Sequence, residues 1–212
     1  MKQAADRPSN GQGSGQVSKL AGGPVAADLA VGQRLRSLRQ ARGLSLKAVA
    51  ASTGLSIGYL SQVERGLSSP SLRALTQVAD LLGVGIGALF GGPEGAGADG
   101  IVTRAGERAA LTLWRAGITK QLLTQGDGRL SLFLMQLAPA SGTGDEALVH
   151  DGEEAGLVME GALVLTVEET TAELGPGDSF RFASRRPHRY RNPSPDRIAV
   201  VLWVNAVPRA GE

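Results

Sequence analysis

Cysteine is absent from this chain of 212 residues. Disulfides, thiolate-bound zinc and a cysteine nucleophile are therefore all excluded. Long apolar runs are missing too. None approaches the ~18–20 residues of a membrane span, and the opening stretch MKQAADRPSNGQGSGQ lacks the apolar middle of a secretion signal. These absences lead us to expect a cytoplasmic protein with no membrane partner. Histidine, the side chain best suited to metal binding and to proton transfer near neutral pH, occurs only twice. What is present is ordinary apolar content, 42%, and much glycine, 30 residues. That suits packed cores joined by many turns. The length suits one large domain or two small ones.

The net charge of +2 hides an asymmetry. Residues 31–90 carry seven basic side chains (Arg34, Arg36, Arg39, Arg42, Lys47, Arg65, Arg73) against two acidic ones (Glu64, Asp80), a balance of +5. Residues 101–212 carry twelve basic and fourteen acidic side chains, a balance of −2. A small basic segment joined to a larger, slightly acidic one suggests a polyanion partner for the first.

Composition divides the chain further. Residues 1–27 are rich in Gly, Ser, Gln and Ala without an apolar period, and residues 91–100, GGPEGAGADG, share that character. The expected organisation is a disordered arm over 1–27, a helical domain over 28–90, a flexible linker over 91–100 and a second domain over 101–212. In the helical part, a first helix over about 29–42 ends at Gly43. Ser45 caps LKAVAAST, which stops at Gly54; Ser56 caps IGYLSQVER, which stops at Gly66; Ser71 opens LRALTQVADLLG; and IGALF makes a fifth element. Two short helices separated by Gly54-Leu55 match a helix-turn-helix. After residue 100 the period changes. ALTLW, LSLFLMQL, GALVLTVEE, DSFRFA and RIAVVLWVN read as short strands, separated by the turns QGDGR, APASGTG, ELGPGD and NPSPD. Many short strands without a long helix suggest a β-sandwich or barrel.

The stretch GLSLKAVAASTGLSIGYLSQVERGLSSPSLRALTQVADLLGV resembles the phage-repressor-type (XRE) helix-turn-helix family over about 60 residues. The resemblance implies a core of Ala50, Leu60, Val63, Leu75, Ala79 and Leu82, and an Arg39–Glu64 pair between the first and third helices. It implies double-stranded DNA as the partner. Ser56, Ile57, Gly58, Tyr59, Ser61, Gln62 and Arg65 would form the recognition surface at the third helix. A glutamine such as Gln62 can read an adenine edge, and an apolar residue such as Ile57 can touch a thymine methyl. Lys47, Ser71 and Arg73 would hold phosphates, with the amide at the start of helix 2. The family often places Gln just after the helix-2 cap; here that residue is Leu46.

Both histidines lie in the second half. From His150 the spacing is H-x-x-x-E-x-x-x-x-x-x-G to Gly161. Gly175-Pro176-Gly177-Asp178 and Pro187-His188-x-x-x-Asn192 follow. This resembles the two motifs of the cupin family, an all-β double-stranded β-helix barrel. The resemblance implies that His150, Glu154 and His188 converge. Two imidazoles and a carboxylate form a triad suited to iron(II), manganese, nickel or zinc. The fuller motif begins H-x-H, and its first histidine falls here on Leu148, so at most three protein ligands remain. The alternative is that both histidines are polar walls of an organic-ligand pocket. Arg181 is expected to line that pocket and clamp a carboxylate or phosphate. Trp114, Phe133, Met135 and Trp203 read as barrel core.

The expected architecture is thus a five-helix all-α domain followed by an all-β cupin barrel. The expected function is a transcription regulator, a repressor by preference, acting as a homodimer on a palindromic operator and controlled by a small-molecule effector in the barrel. The alternative is an enzyme. A helix-turn-helix joined to a His-x-x-x-Glu…His cupin is also similar to hydroxypropylphosphonic acid epoxidase, an iron oxygenase. The intact basic face and the residues Lys47, Gln62 and Arg65 favour the regulator and no catalytic role.

Overall fold

Proline pre-sets a helical φ and forgoes only an amide that a first turn leaves unbonded anyway. In the computed structural model the first helix, α1, accordingly spans Pro24–Ala41, beginning earlier than the sequence pattern indicated. The structure describes residues 24–90, 101–124 and 129–207. The expected arm, apart from its helical end at 24–27, and the expected linker at 91–100 lie outside these residues. Helices α2 (Leu46–Thr53), α3 (Ile57–Glu64) and α4 (Leu72–Leu81) follow. Their caps form where the serines dictate. The hydroxyls of Ser45, Ser56 and Ser71 accept from the amides of Ala48, Tyr59 and Ala74, each at 3.1 Å. Gly43, Gly54 and Gly66 take the left-handed backbone that ends each helix. The fifth expected helix is not an α-helix. Ile86–Phe90 is a single 3-10 turn, so the domain has four α-helices. Two glycines, Gly83 and Gly85, precede it within three residues and weaken α-helix nucleation there.

Helices α1 and α3 approach so closely that a side chain at Gly32 would lie 2.1 Å from the Val63 carbonyl oxygen. Across the same contact Arg39 makes two hydrogen bonds to Glu64, at 2.6 and 2.9 Å, and a third to the Leu44 carbonyl at 2.6 Å. Both side chains are nearly buried, 13% and 10% exposed. Removing one partner strands the other charge, which costs about 3 kcal/mol at such a site. Glu64→Ala is therefore expected to lower the urea midpoint of the helical domain strongly. An unchanged midpoint would show the pair to be a surface ornament.

The β domain contains two antiparallel sheets. Strands β1 (Ala110–Leu113), β2 (Ile118–Leu122), β3 (Leu130–Leu137) and β4 (Glu153–Glu160) are followed by β5 (Leu163–Val167), β6 (Thr170–Leu174), β7 (Ser179–Ala183), β8 (His188–Arg191) and β9 (Ala199–Ala206). Six of them make one sheet in the order β1-β2-β3-β9-β4-β7, and β6-β5-β8 make the other. Their inward residues, among them Phe133, Met135, Val158, Leu163, Leu165, Tyr190 and Trp203, form a common core. Trp114 departs from expectation. It sits in a 3-10 turn after β1 and is 46% exposed. The pattern of ALTLW breaks at that residue because Gly117 reverses the chain.

The two domains share one buried cluster. Phe90 packs on Phe133 with ring centroids 5.2 Å apart, and a side chain at Gly87 would meet the Ser131 hydroxyl at 2.7 Å. Helix α4 and the 3-10 turn thereby lie across one end of the β domain. No helix among the described residues is long and apolar enough to cross a membrane.

Candidate functional site

The residues expected to face DNA are presented by α2, α3 and the start of α4. Lys47, Ser56, Ile57, Gly58, Gln62, Arg65, Ser71 and Arg73 are exposed, and Tyr59 and Ser61 are half-buried. Ile57 is 49% exposed, a large apolar side chain without a core role. The Ser56 and Ser71 oxygens accept as helix caps, which leaves each hydroxyl proton free to point outward. The Ser71 amide donates to the Tyr59 hydroxyl at 3.3 Å, so Tyr59 helps to fix the α3–α4 loop. The Arg65 guanidinium leans back on the Ser61 carbonyl at 3.1 Å. Arg73 pairs with Glu146 of the β domain at 2.6 Å. That pair is solvent-exposed and contributes little, so a phosphate can displace it.

The second site lies between the sheets. The Leu148–His188 bridge puts His150 opposite the start of β8, and β4 carries Glu154 inward. His150, Glu154 and His188 offer ligand atoms that all lie within 4.8 Å of one another. His188 Nδ1 is 2.9 Å from the Arg186 carbonyl oxygen, and His150 Nδ1 is 3.1 Å from that of Asp151. A carbonyl only accepts, so both Nδ1 atoms carry hydrogen. Both Nε2 atoms are thereby turned toward Glu154. His150 Nε2 is 2.7 Å from Glu154 Oε1, and His188 Nε2 is 3.7 Å from Oε2. Burial pushes the His188 pKa down, so this ring is neutral near pH 7 and its Nε2 is a bare lone pair; that atom is buried without a hydrogen-bond partner. Burial also opposes charge on His150, but the Glu154 hydrogen bond and charge outweigh it and raise its pKa.

Glu154 is fully enclosed. It accepts from Trp203 Nε1 at 3.0 Å and from Asn205 Nδ2 at 2.8 Å besides His150. Burial favours its protonation, yet the hydrogen bond and charge of His150, with the charges of His188 and Lys120, keep its pKa below the ordinary carboxylate value. The set fits a divalent ion. Its imidazoles are anchored through Nδ1 by backbone oxygens, as metal-bound histidines are, and an unsatisfied buried nitrogen faces the carboxylate. Ligands 2.0–2.2 Å from an ion stand at most ~4.4 Å apart, so a slight contraction closes the triad. Leu148, where the fuller motif has histidine, is buried and apolar and can donate nothing.

Arg181 is not part of this site. Its residue on β7 faces out, 71% of the side chain is exposed, and it pairs with Glu153. The alternation along β7 turns Phe182 inward instead. Sequence reasoning also missed residues that the fold brings in. Lys120 lies at an inward position of β2 and is 4% exposed. The alternation Ile118-Lys120-Leu122 was the available signal, but a lysine between two apolar residues reads as an exposed position. Tyr190 and Asn205 join it on the inner wall. Asp80 of α4, which accepts from the Asp151 amide, joins them at the domain seam. The cavity these residues line holds about 30 Å³. That is room for roughly two waters, or an ion and a water.

Comparison with known proteins agrees with both halves. A helix-turn-helix domain family matches residues 30–89 and a cupin domain family matches residues 133–205. The HTH-type transcriptional regulator PuuR of Escherichia coli is 29% identical over 168 residues, covering 78% of this chain and 89% of that protein. The HTH-type transcriptional regulator SutR of the same organism is 31% identical over 160 residues, covering 74% and 84%. A crystal structure of an HTH_3 family transcriptional regulator from Vibrio cholerae superposes with a TM-score of 0.69 at 28% identity, over 88% of this chain and all of that one.

Proposed function

The chain belongs to the HTH-type, DNA-binding transcriptional regulators that carry a cupin domain, and we propose that a small ligand or a divalent ion bound between its sheets governs how it holds its operator. The observation that carries this reading is the position of α4. Leu72, Thr76, Ala79 and Asp80 of that helix line the same cavity as His150, Glu154 and Tyr190. An occupant of this cavity touches α4, and α4 carries the expected Arg73 phosphate contact at its start. Occupancy and the DNA-competent arrangement are then coupled, as any ligand-driven shift requires. Repression by a homodimer on a palindromic site is the form we favour. One helix-turn-helix reads only a few base pairs. The exposed Leu157, Met159 and Ile198 offer an apolar face for pairing.

The regulator reading is preferred to an oxygenase because Lys47, Gln62 and Arg65 stay exposed on an intact basic face, which an oxygenase has no use for. Selection of sheared genomic DNA from the source organism by the purified protein, at near-physiological salt, tests it. Recovery of a few sites with two-fold symmetry is the expected result. Only diffuse, salt-sensitive binding would overturn it.

If the triad takes an ion, His150, Glu154 and His188 hold it, and iron, manganese, nickel and zinc all suit the donor set. The ion would supply a fixed positive charge to which an effector can bind. Because Glu154 favours a proton on the same His150 nitrogen that would ligate, metal and proton compete. Manganese affinity, measured by calorimetry, is expected to fall about tenfold per pH unit below the His150 titration and to level off above it. His188→Ala should abolish uptake while leaving DNA binding by the apo protein intact. A pH-independent affinity would place the ion elsewhere.

A further inference from the structure

Lysine is almost never fully buried without an anionic partner. Lys120 is buried on the inner wall, and among the described residues no carboxylate oxygen comes within 4.0 Å of its ammonium. Its neighbours include two aromatic faces. Its nitrogen lies 5.5 Å from the ring centre of Phe133 and 6.0 Å from that of Trp203. The charge of Glu154 acts on it, but that carboxylate is already occupied by His150, Trp203 and Asn205. A second donor lines the same cavity. The Tyr190 hydroxyl is buried and has no partner.

The leftover groups sort by sign. His188 Nε2 and Asn205 Oδ1 are orphaned acceptors and call for a cation or a protonated donor. Lys120 and Tyr190 are donors and call for an anion. The cavity has room for about two waters, which the two oxygens of one carboxylate would replace. On its other side the cavity is lined by α4, at Leu72, Thr76 and Asp80, which the rest of a molecule would meet.

We propose that Lys120 and Tyr190 form an oxyanion subsite inside the β domain, which takes the carboxylate of an organic effector or a small inorganic oxyanion. The proposal deepens the regulator reading and rests on it for its physiological role. The ligand's head would sit on Lys120, and its body would meet the DNA-binding domain at α4.

Thermal unfolding of the full chain, stripped of metal by chelation, tests the subsite. Sodium formate, acetate, succinate, phosphate and sulfate are each titrated against sodium chloride at matched ionic strength. Wild type and Lys120→Met are compared, because sulfate and phosphate also stabilise proteins non-specifically. Lys120→Met should fold and melt no lower than wild type without anion, since it replaces an unpaired buried charge by an apolar chain. The expected result is a rise of about 2–4 °C in wild type that Lys120→Met lacks. Tyr190→Phe, which keeps the ring, should bind the same anion about fivefold more weakly and serves if Lys120→Met does not fold. A Lys120-dependent rise with carboxylates identifies an organic acid; one confined to phosphate or sulfate identifies an inorganic anion. Equal shifts in wild type and variants with every anion would overturn the subsite. Operator binding by the same proteins separates the two readings. Anion shifts without DNA binding would leave the subsite and remove the regulator, and DNA binding without shifts would do the reverse.

Discussion

Replacing Gln62 and Arg65 together by alanine is expected to weaken operator binding by at least ~1,000-fold while the protein melts at the wild-type temperature. Both side chains are exposed on or just after α3, and neither contributes to the core. Gln62 holds the loop only through its backbone, whose carbonyl accepts from Leu67 at 2.9 Å. The helix therefore survives the double change. A good bidentate base contact is worth about 1–3 kcal/mol of discrimination, and a dimer loses it twice. Loss of the Arg65 charge beside the DNA backbone also lowers the dependence of binding on salt. Electrophoretic mobility shifts across a salt series measure both effects. Specific binding that persists in the double variant would move the recognition surface off α3.

The second large effect is expected at Glu154. This carboxylate is the common acceptor for His150, Trp203 Nε1 and Asn205 Nδ2, and its charge acts on Lys120. Glu154→Ala strands two cationic groups and two donors at once. Breaking a buried charge pair costs about 3–5 kcal/mol, so Tm should fall by roughly 10 °C. Glu154→Gln keeps the volume and an acceptor but not the charge, and should fall between. Because part of the penalty is the uncompensated Lys120, Glu154→Gln should cost less in a Lys120→Met background than alone. Additive losses in that cycle would mean that Lys120 and Glu154 act independently.

Much of this molecule can be read along the chain. The serine caps, the left-handed glycines and the apolar spacing of α2 to α4 are local, and they place Gln62 and Arg65 on one exposed surface. A 3-10 turn in place of a fifth helix is also a local matter, decided by Gly83 and Gly85. The strands that were missed, β2, β4, β6 and β8, have a charged or polar residue where the alternation needed an apolar one. In β2 that residue is Lys120, and in β4 it is Glu154; both point inward because they belong to the site.

What the sequence determined by itself is therefore the serine and glycine caps of α2 to α4, the exposure of Gln62 and Arg65 and the spacing that marks His150, Glu154 and His188 as a set. Those features depend on neighbours within a few residues. The tertiary structure decided the rest. It turned Arg181 outward onto Glu153, brought Lys120 and Tyr190 together from strands seventy residues apart, and laid α4 over the cavity with Asp80 at its edge. Inward and outward positions on a strand are fixed by pairing with distant strands, and the covering of one domain by another depends on surfaces that no local pattern encodes.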